Sequence, residues 1–256
     1  MDISVQVFDH YIGFLSNKLG KAEDQGRILL LMLLAYPIGF MLHFIKGTYL
    51  RHAYSIIIGG AMQYLMFREG CIHFLVIIVG TYFIISVLER TYAAYATFTF
   101  CLGYLSVCHI NRVLYDYGNW SLDATTYIMP LVAKLSTIGY CIMDGSKDDS
   151  KLTDYQKNKK LTKIPQLYEI LSYSTFPCAN MCGPFFEFKD YKYFIEHGVQ
   201  ATRADCLMAA SYDLMIGFVV VILCIFIPTN FTIDILVDPK FYDNSFFYIS
   251  AYYWIA

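Results

Sequence analysis

Long runs without a charged side chain divide this sequence, and they constrain its fold more than any other feature. A bilayer-spanning helix needs about 20 consecutive apolar residues, because an ionised group at the bilayer centre costs about 2.5–3.5 kcal/mol. The pattern predicts an all-α, polytopic transmembrane helical bundle with about eight hydrophobic segments. The runs are 28–45, 53–67, 70–88, 91–111, 124–143 (interrupted by Lys134), 170–186, 214–233 and the run from Asn244 to Ala256.

Composition supports this class and excludes others. The chain is 57% hydrophobic and only 16% charged, whereas soluble domains carry about 25% charged residues. A chain this apolar does not stay disordered, and a net charge of -2 gives no electrostatic reason to bind nucleic acid. The eight cysteines and six histidines show no metal-ligand spacing, so no metal site is predicted.

The whole chain, 1–256, is predicted to be one membrane domain with four parts. Residues 1–27 place Val5, Phe8, Ile12 and Leu15 at helical spacing. This spacing predicts an interfacial amino-terminal helix, although a helix packed on protein gives the same pattern. Membrane segments follow at 28–143 and 169–256, the last of them cut short at Ala256. Between them, the lysine-rich loop 144–168 is predicted to be cytosolic by the positive-inside rule.

One predicted helix carries a polar stripe through the membrane. At 100° per residue, seven positions from Asp123 to Asp144 fall within roughly 80° of arc. Lys134 lies near the middle of this stripe, which indicates either a structural lysine paired with a carboxylate such as Glu169 or Asp213, or a residue that lines a substrate-filled cavity. The stripe consists of Asp123, Thr126, Pro130, Lys134, Thr137, Cys141 and Asp144.

The run 170–186 is expected to be short, broken or re-entrant. Pro177 and the pair Gly183-Pro184 interrupt it, and a broken helix in a membrane needs protein or water to satisfy its freed backbone groups. An ordinary proline kink is the alternative. Gly183 and Pro184 are therefore candidates for a cavity wall.

An ordered set of short motifs resembles the membrane-bound O-acyltransferase family, in its lysophospholipid acyltransferase branch. The resemblance extends over roughly residues 50 to 200, and the order and spacing of the motifs carry it, since each motif alone is weak. The motifs are Arg51-His52, Leu102 to Cys108, Arg112 with Asp116-Tyr-Gly118, Gly118-Asn-Trp-Ser-Leu-Asp123, Met129, Lys134-Leu-Ser136, Asp144-Gly145, Leu152 to Gln156, Ile164 to Tyr173, Gly183-Pro184, and Phe188 to Glu196.

The resemblance implies a multi-pass enzyme of the endoplasmic reticulum membrane. Such an enzyme transfers a fatty acyl group from acyl-CoA, its co-substrate, to the free hydroxyl of a lysophospholipid, without a bound cofactor. The family's catalytic asparagine and histidine lie in Trp-Asn and Trp-His-Gly blocks, and neither block occurs here. The resemblance therefore implies an amino-terminal half that is inactive alone, with its catalytic pair beyond Ala256. Its substrate-cavity candidates are Asp123, Lys134, Thr137, Asp144, Gly183 and Pro184.

Two other functions stay open on the sequence. A member of the same family can act on a protein or sterol hydroxyl, and the basic loop does not decide between these acceptors. A transporter or non-catalytic membrane scaffold would also contain an intramembrane lysine and broken helices. No repeat relates the two halves of this sequence, which disfavours a transporter.

Overall fold

A computed structural model describes residues 3–19, 22–118, 122–180, 185–198, 203–230, 235–236 and 239–255. Every regular element in these ranges is helical, which confirms the all-α class. The helices are α1 Ile3–Leu19, α2 Glu23–Met41, α3 Thr48–Phe67, α4 Cys71–Val87, α5 Arg90–Tyr115, α6 Thr125–Asp144, α7 Asp154–Lys159, α8 Leu167–Ser174, α9 Phe188–His197, α10 Arg203–Asn230 and α11 Phe246–Ile255.

The chain divides into two compact units, Met1–Gln200 and Ala201–Ala256. The first unit contains α1 to α9, and the second contains α10 and α11. In the second unit, the apolar side chains of α10 are largely exposed, as expected for a helix that faces lipid.

Four stretches of described residues are long and apolar enough to cross a membrane, fewer than the eight segments predicted. The predicted runs 53–67 and 70–88 fall within one stretch, because a short 3₁₀ turn joins α3 to α4. The run 170–186 does not form a long helix, since α8 ends at Ser174 and a 3₁₀ turn follows at Pro177–Ala179. The four stretches are Thr48–Val87, Arg90–Tyr115, Thr125–Asp144 and Ala204–Leu223.

Helix α6 is the central element of the first unit. Of the 18 most apolar consecutive residues of α6, 67% are buried, whereas only 22% are buried in the most apolar 18 residues of α5. Helices α5 and α6 form the most extensive helix pair. They approach closely at Gly139, where an added Cβ would lie 3.2 Å from the Cα of Ala94 and 3.3 Å from the Cβ of Thr97. Small residues at a membrane helix interface allow this approach.

Helices α8 and α9 pack on the same apolar core as α4 and α6. Ile170, Tyr173, Tyr191 and Ile195 are buried in one cluster with the apolar residues of α4 and α6. Gly59 of α3 lies against the end of α8, and a Cβ there would overlap the carbonyl oxygen of Thr175. The backbone of the broken segment is thereby held against α3.

The amino-terminal helix forms where it was predicted, as α1, and packs on α2. Val5 and Ile12 are buried, which favours the interpretation of a helix packed on protein for that face. Val7, Tyr11 and Phe14 are exposed on another face. Leu15 lies in α1, but its side chain is outside the described set.

Candidate functional site

Lys134 is buried near the middle of α6, with 1% of its surface exposed. Its ammonium group donates a hydrogen bond to the carbonyl oxygen of Ala179, at 3.2 Å. The same group lies 4.9 Å from the ring centre of Phe186 and 5.4 Å from that of Tyr173. Aromatic faces attract cations, so these contacts offset part of the cost of burying the charge.

Glu169, one of the two candidate carboxylate partners of Lys134, does not pair with it. Glu169 accepts a hydrogen bond from Lys192 instead, at 2.9 Å, and its second oxygen accepts from the backbone of Gln166 at the start of α8. The other proposed partner, Asp213, is an exposed residue of the second unit. Among the described residues, no carboxylate oxygen lies within 4.0 Å of the Lys134 ammonium. The backbone of the broken segment is its neighbour because Pro177 ends the regular hydrogen bonding there.

Two of the three contacts of Lys134, Ala179 and Phe186, lie on either side in sequence of residues that the structure does not describe. Ala179 precedes residues 181–184 in the sequence and Phe186 follows them. The cavity candidates Gly183 and Pro184 fall within it and lie outside the described residues. The placement of Lys134 between the flanks of a broken segment was not readable from helical spacing.

A buried amide pair holds the segment before this gap. The side chain of Gln63 on α3 donates to the side-chain oxygen of Asn180, at 2.7 Å, and Asn180 donates to the carbonyl of Gly59, at 2.7 Å. Both side chains are at most 4% exposed. Sequence spacing did not predict this pair, although a polar amide within an apolar run indicates a buried hydrogen-bond partner.

The motif Arg51-His52 also has a structural role. Arg51 donates to the carbonyl of Ile195 in α9, at 2.8 Å, and the ring of His52 lies 2.6 Å from the hydroxyl of Ser172 in α8. Ser172 is fully buried and donates to the carbonyl of Glu169. A nucleophile needs access to its substrate, so this histidine–serine pair positions helices and is not assigned a catalytic role.

Asp144, at the carboxyl end of α6, belongs to a second environment. It is 6% exposed, and it accepts hydrogen bonds from Lys147 at 2.9 Å and from Gln156 at 3.1 Å. The next residue, Gly145, has no room for a Cβ, which would overlap the carbonyl oxygen of Leu161. Asp144 therefore fastens the lysine-rich loop to the end of α6.

Glu187 adds a second carboxylate to this end of the molecule. Its side chain accepts a hydrogen bond from the hydroxyl of Tyr155, at 2.6 Å, and lies 4.0 Å from the thiol of Cys141. The hydrogen bond to the carboxylate favours the neutral phenol and raises the pKa of Tyr155 to about 12. Helix α7 is thus attached to the segment that precedes α9.

Asp123, at the amino end of α6, belongs to a third environment. Its carboxylate lies 3.2 Å from the guanidinium of Arg112 on α5 and accepts hydrogen bonds from the backbone and hydroxyl of Thr125. Asp123 and Arg112 line a cavity of about 470 Å³. At 1.5 Å per residue, α6 separates this cavity from Asp144 by about 30 Å.

The polar stripe therefore does not form one site. Its charged members occupy three separate environments along α6, and Thr137 donates its hydroxyl to the carbonyl of Ala133 in its own helix. The described residues contain no group of three or more His, Cys, Asp or Glu side chains placed to hold a metal ion. What the arrangement offers is a buried cation near the middle of α6 and a charged cavity at its amino end.

More than half of this chain matches a known protein family. The model of the membrane-bound O-acyltransferase family matches residues 113–256, a range that begins in α5 and includes α6. The chain belongs to the membrane-bound O-acyltransferase family. Membership confirms the resemblance carried by the motifs around Asp123, Lys134 and Asp144.

Three similar proteins indicate the branch of this family. The chain is 33% identical over 152 residues to the membrane-bound glycerophospholipid O-acyltransferase 2 of Mus musculus, covering 59% of this chain and 29% of the relative. It is 30% identical over 197 residues to a lysophospholipid acyltransferase of Schizosaccharomyces pombe, covering 75% and 38%. It is 27% identical over 246 residues to the lysophospholipid acyltransferase 5 of Bos taurus, covering 93% and 50%. The chain thus spans from under a third to half of these relatives' lengths.

Proposed function

We propose that this protein is a lysophospholipid O-acyltransferase and that residues 1–256 supply its scaffold and part of its substrate cavity. The observation that carries the proposal is the match to relatives whose names all describe acyl transfer to glycerophospholipids or lysophospholipids. The match to the bovine relative covers 93% of this chain. Protein and sterol acceptors are disfavoured by the same relatives.

The proposed reaction joins an acyl group to a free hydroxyl. The lysophospholipid oxygen attacks the thioester carbon of acyl-CoA, its proton passes to a general base, and CoA leaves as the thiol while an ester forms. Preorganised donors stabilise the oxyanion that develops on the carbonyl oxygen. Since the sequence lacks both Trp-Asn and Trp-His-Gly blocks, we assign no catalytic residue to positions 1–256.

Lys134 is proposed to line the path of a substrate. An ammonium group has three donors, and among the described residues only the carbonyl of Ala179 accepts one. Ionisable residues inside a membrane usually face a partner or a pathway. The remaining donors of Lys134 are available to an ester or phosphate oxygen that enters beside Phe186.

We also propose that the protein resides in the endoplasmic reticulum membrane with the loop 144–168 in the cytosol. The lysines of the loop support this orientation by the positive-inside rule. Acyl-CoA, a water-soluble co-substrate, would then arrive on the loop side of the membrane. The lysophospholipid would come from the bilayer.

The proposal is tested by acyl transfer in microsomes. The natural gene product, with any sequence that accompanies residues 1–256 in the cell, is expressed in cells depleted of lysophospholipid acyltransferases. Labelled oleoyl-CoA is supplied with a panel of lysophospholipids, a sterol and a serine-containing peptide. We expect labelled phospholipid only. Label in the sterol or peptide alone, or no transfer by folded protein, would refute the proposal.

A further inference from the structure

The cavity at the amino end of α6 is lined by four elements of the first unit. It lies between α2, the α3–α4 junction, the end of α5 and the start of α6, and its volume is about 470 Å³. Small-molecule sites usually enclose about 300–1,000 Å³ and combine apolar walls with a few placed polar groups. This cavity has both kinds of wall, and no ligand was assigned to it above.

One side of the cavity is cationic. Arg27 and Arg68 both line it, and Asp9 of α1 joins them, at 3.0 Å from Arg27 and 2.5 Å from Arg68. The Nε atom of Arg27 is buried and has no hydrogen-bond acceptor among the described residues. A buried donor without an acceptor is costly, which points to a ligand oxygen at this position.

The backbone at Arg68 is strained in a way that places this side chain. Its φ angle is 51°, and among the described residues it is the one non-glycine residue with a positive φ. Such conformations are unfavourable and persist where the surrounding structure enforces them, often at ligand sites. Here the strained residue directly follows α3 and lines the cavity.

The opposite side of the cavity is acidic and aromatic. Asp116 and Asp123 line it, together with the rings of Phe67 and Tyr115. Carboxylates and aromatic faces are the groups that bind an ammonium. With Arg112 counted, the lining carries three arginines and two aspartates, and Asp9 contacts two of those arginines, so the cavity offers both signs of charge in balance.

The remaining wall is apolar and leads into the bundle. Met66, Leu122 and Ile128 line the cavity, and Met66 and Leu122 belong to an apolar cluster between α2 and α3. A free phosphate gains no binding energy from an apolar wall, whereas a ligand with a hydrocarbon tail gains it by burying the tail there. The ligand is therefore an amphiphile that carries an anion and a cation at one end.

We propose that this cavity binds the zwitterionic headgroup of the lysophospholipid acceptor. The phosphate would lie against Arg27 and Arg68, which suit phosphate oxygens. The ammonium would lie toward Asp116 and the aromatic rings, and the tail against Met66 and Leu122. The choice of a lysophospholipid rests on the proposed function, and the new element is the headgroup class and its position.

The position of the cavity favours this acceptor over acyl-CoA. Helix α6 is about 30 Å long and separates the cavity from the lysine-rich loop at its other end. CoA is water-soluble and does not cross a bilayer, so a cytosolic loop places it on the far side. A lysophospholipid reaches either face within the membrane.

Binding, measured without turnover, tests the proposal. The full chain in detergent is titrated with lysophosphatidylcholine, lysophosphatidic acid and monoacylglycerol of one acyl length, and separately with phosphocholine, inorganic phosphate and CoA. We expect lysophosphatidylcholine to bind at least about tenfold more tightly than monoacylglycerol, which has the tail without the headgroup. Equal affinities, inorganic phosphate binding as tightly as the lysolipid, or CoA displacing the lysolipid would each overturn the proposal.

Substitutions separate the two sides of the cavity. Arg27→Gln is expected to weaken lysophosphatidylcholine and lysophosphatidic acid alike, by about tenfold. Asp116→Asn is expected to weaken lysophosphatidylcholine by about threefold to tenfold and to leave lysophosphatidic acid unchanged or tighter, because that ligand has no ammonium. A variant that is merely misfolded cannot produce this reversal. The matched control is Arg90→Gln at the opposite end of α5, whose guanidinium donates to Thr162, and it should bind all ligands as the wild type does.

The headgroup site and the acyl-transfer activity are refuted by different results. Acyl transfer by the natural product with no effect of Arg27→Gln or Asp116→Asn on lysolipid binding refutes the headgroup site alone. Charge-dependent binding of lysophosphatidylcholine without acyl transfer to any lysolipid refutes the proposed enzyme and leaves the binding site established.

Discussion

At the scale of single residues, the informative groups are buried charges and what lies beside them. Lys134 has a carbonyl and two rings as neighbours, whereas Glu169 has an ion-pair partner in Lys192. A buried ion whose partner is removed is strongly destabilising, whereas a buried ion replaced by an apolar group of similar size is close to neutral. These two lysines should therefore respond differently to the same substitution.

The substitution Lys134→Met is expected to change the free energy of unfolding by less than about 1 kcal/mol, since relief from desolvation offsets the lost hydrogen bond and ring contacts. Lys192→Met is expected to destabilise by about 1–3 kcal/mol, because Glu169 stays buried without its partner. Thermal unfolding in detergent measures both. Lys134→Met should also lower acyl transfer in the microsome assay, and an unfolding loss equal to that of Lys192→Met would show that Lys134 is structural.

The pair of Tyr155 and Glu187 makes stability depend on pH in the alkaline range. The pKa of Tyr155 is raised from 10.0 to about 12, so the folded state holds this proton more tightly than the unfolded state does. The contribution is complete below pH 10 and is lost as the pH rises through about 12. Tyr155→Phe should therefore lose less stability than the wild type between pH 10 and pH 12 in thermal melts. Parallel curves for the two proteins would contradict the assignment.

At the scale of elements, small residues decide how closely the helices pack. Gly59 of α3 touches the backbone that follows α8, while a Cβ at the adjacent Gly60 would meet nothing within 4 Å. Helical position alone does not separate the two glycines, because both lie in the same apolar run. The difference arises from the segment that packs on α3, which is more than 100 residues away in sequence.

These two glycines give a matched pair of substitutions. Gly59→Ala is expected to destabilise by about 1–3 kcal/mol, since the Cβ forces the end of α8 away from α3. Gly60→Ala is expected to stabilise by up to about 1 kcal/mol, because alanine favours the helix and finds open space. Thermal or denaturant unfolding of the two variants compares them directly. Equal effects would mean that α3 and α8 do not pack as described.

At the scale of the whole molecule, the chain has a membrane framework and a charged cavity but no assigned catalytic pair. The family match covers residues 113–256, and the motifs expected to hold the asparagine and histidine of acyl transfer are absent from the sequence. Binding and chemistry are therefore expected to separate in this chain.

The purified 256-residue chain should show no acyl transfer from labelled acyl-CoA, although it should retain lysolipid binding. The physical reason is that no general base is placed beside a substrate hydroxyl in the residues assigned above. Transfer is measured in detergent and in liposomes, with the natural gene product as the positive control. Turnover by the chain alone would place the catalytic pair within residues 1–256.

The sequence by itself determined the class, the family and the positions of α5 and α6. Each charged side chain in a bilayer raises the free energy independently of the rest of the fold, so the uncharged runs indicate the membrane helices directly. The same reasoning overcounted the spans at 170–186, because an apolar run can also fold as a short helix and turns buried among other helices.

Only the tertiary structure decided which charges are neighbours. Lys134 donates a hydrogen bond to Ala179 and lies over the ring of Phe186. Glu169 forms an ion pair with Lys192, and Asp9 forms ion pairs with both Arg27 and Arg68. Helical spacing orders residues within one element, but these partners come from elements far apart in the chain. Their distances depend on how the helices pack, and packing sets both the buried cation of α6 and the cavity at its amino end.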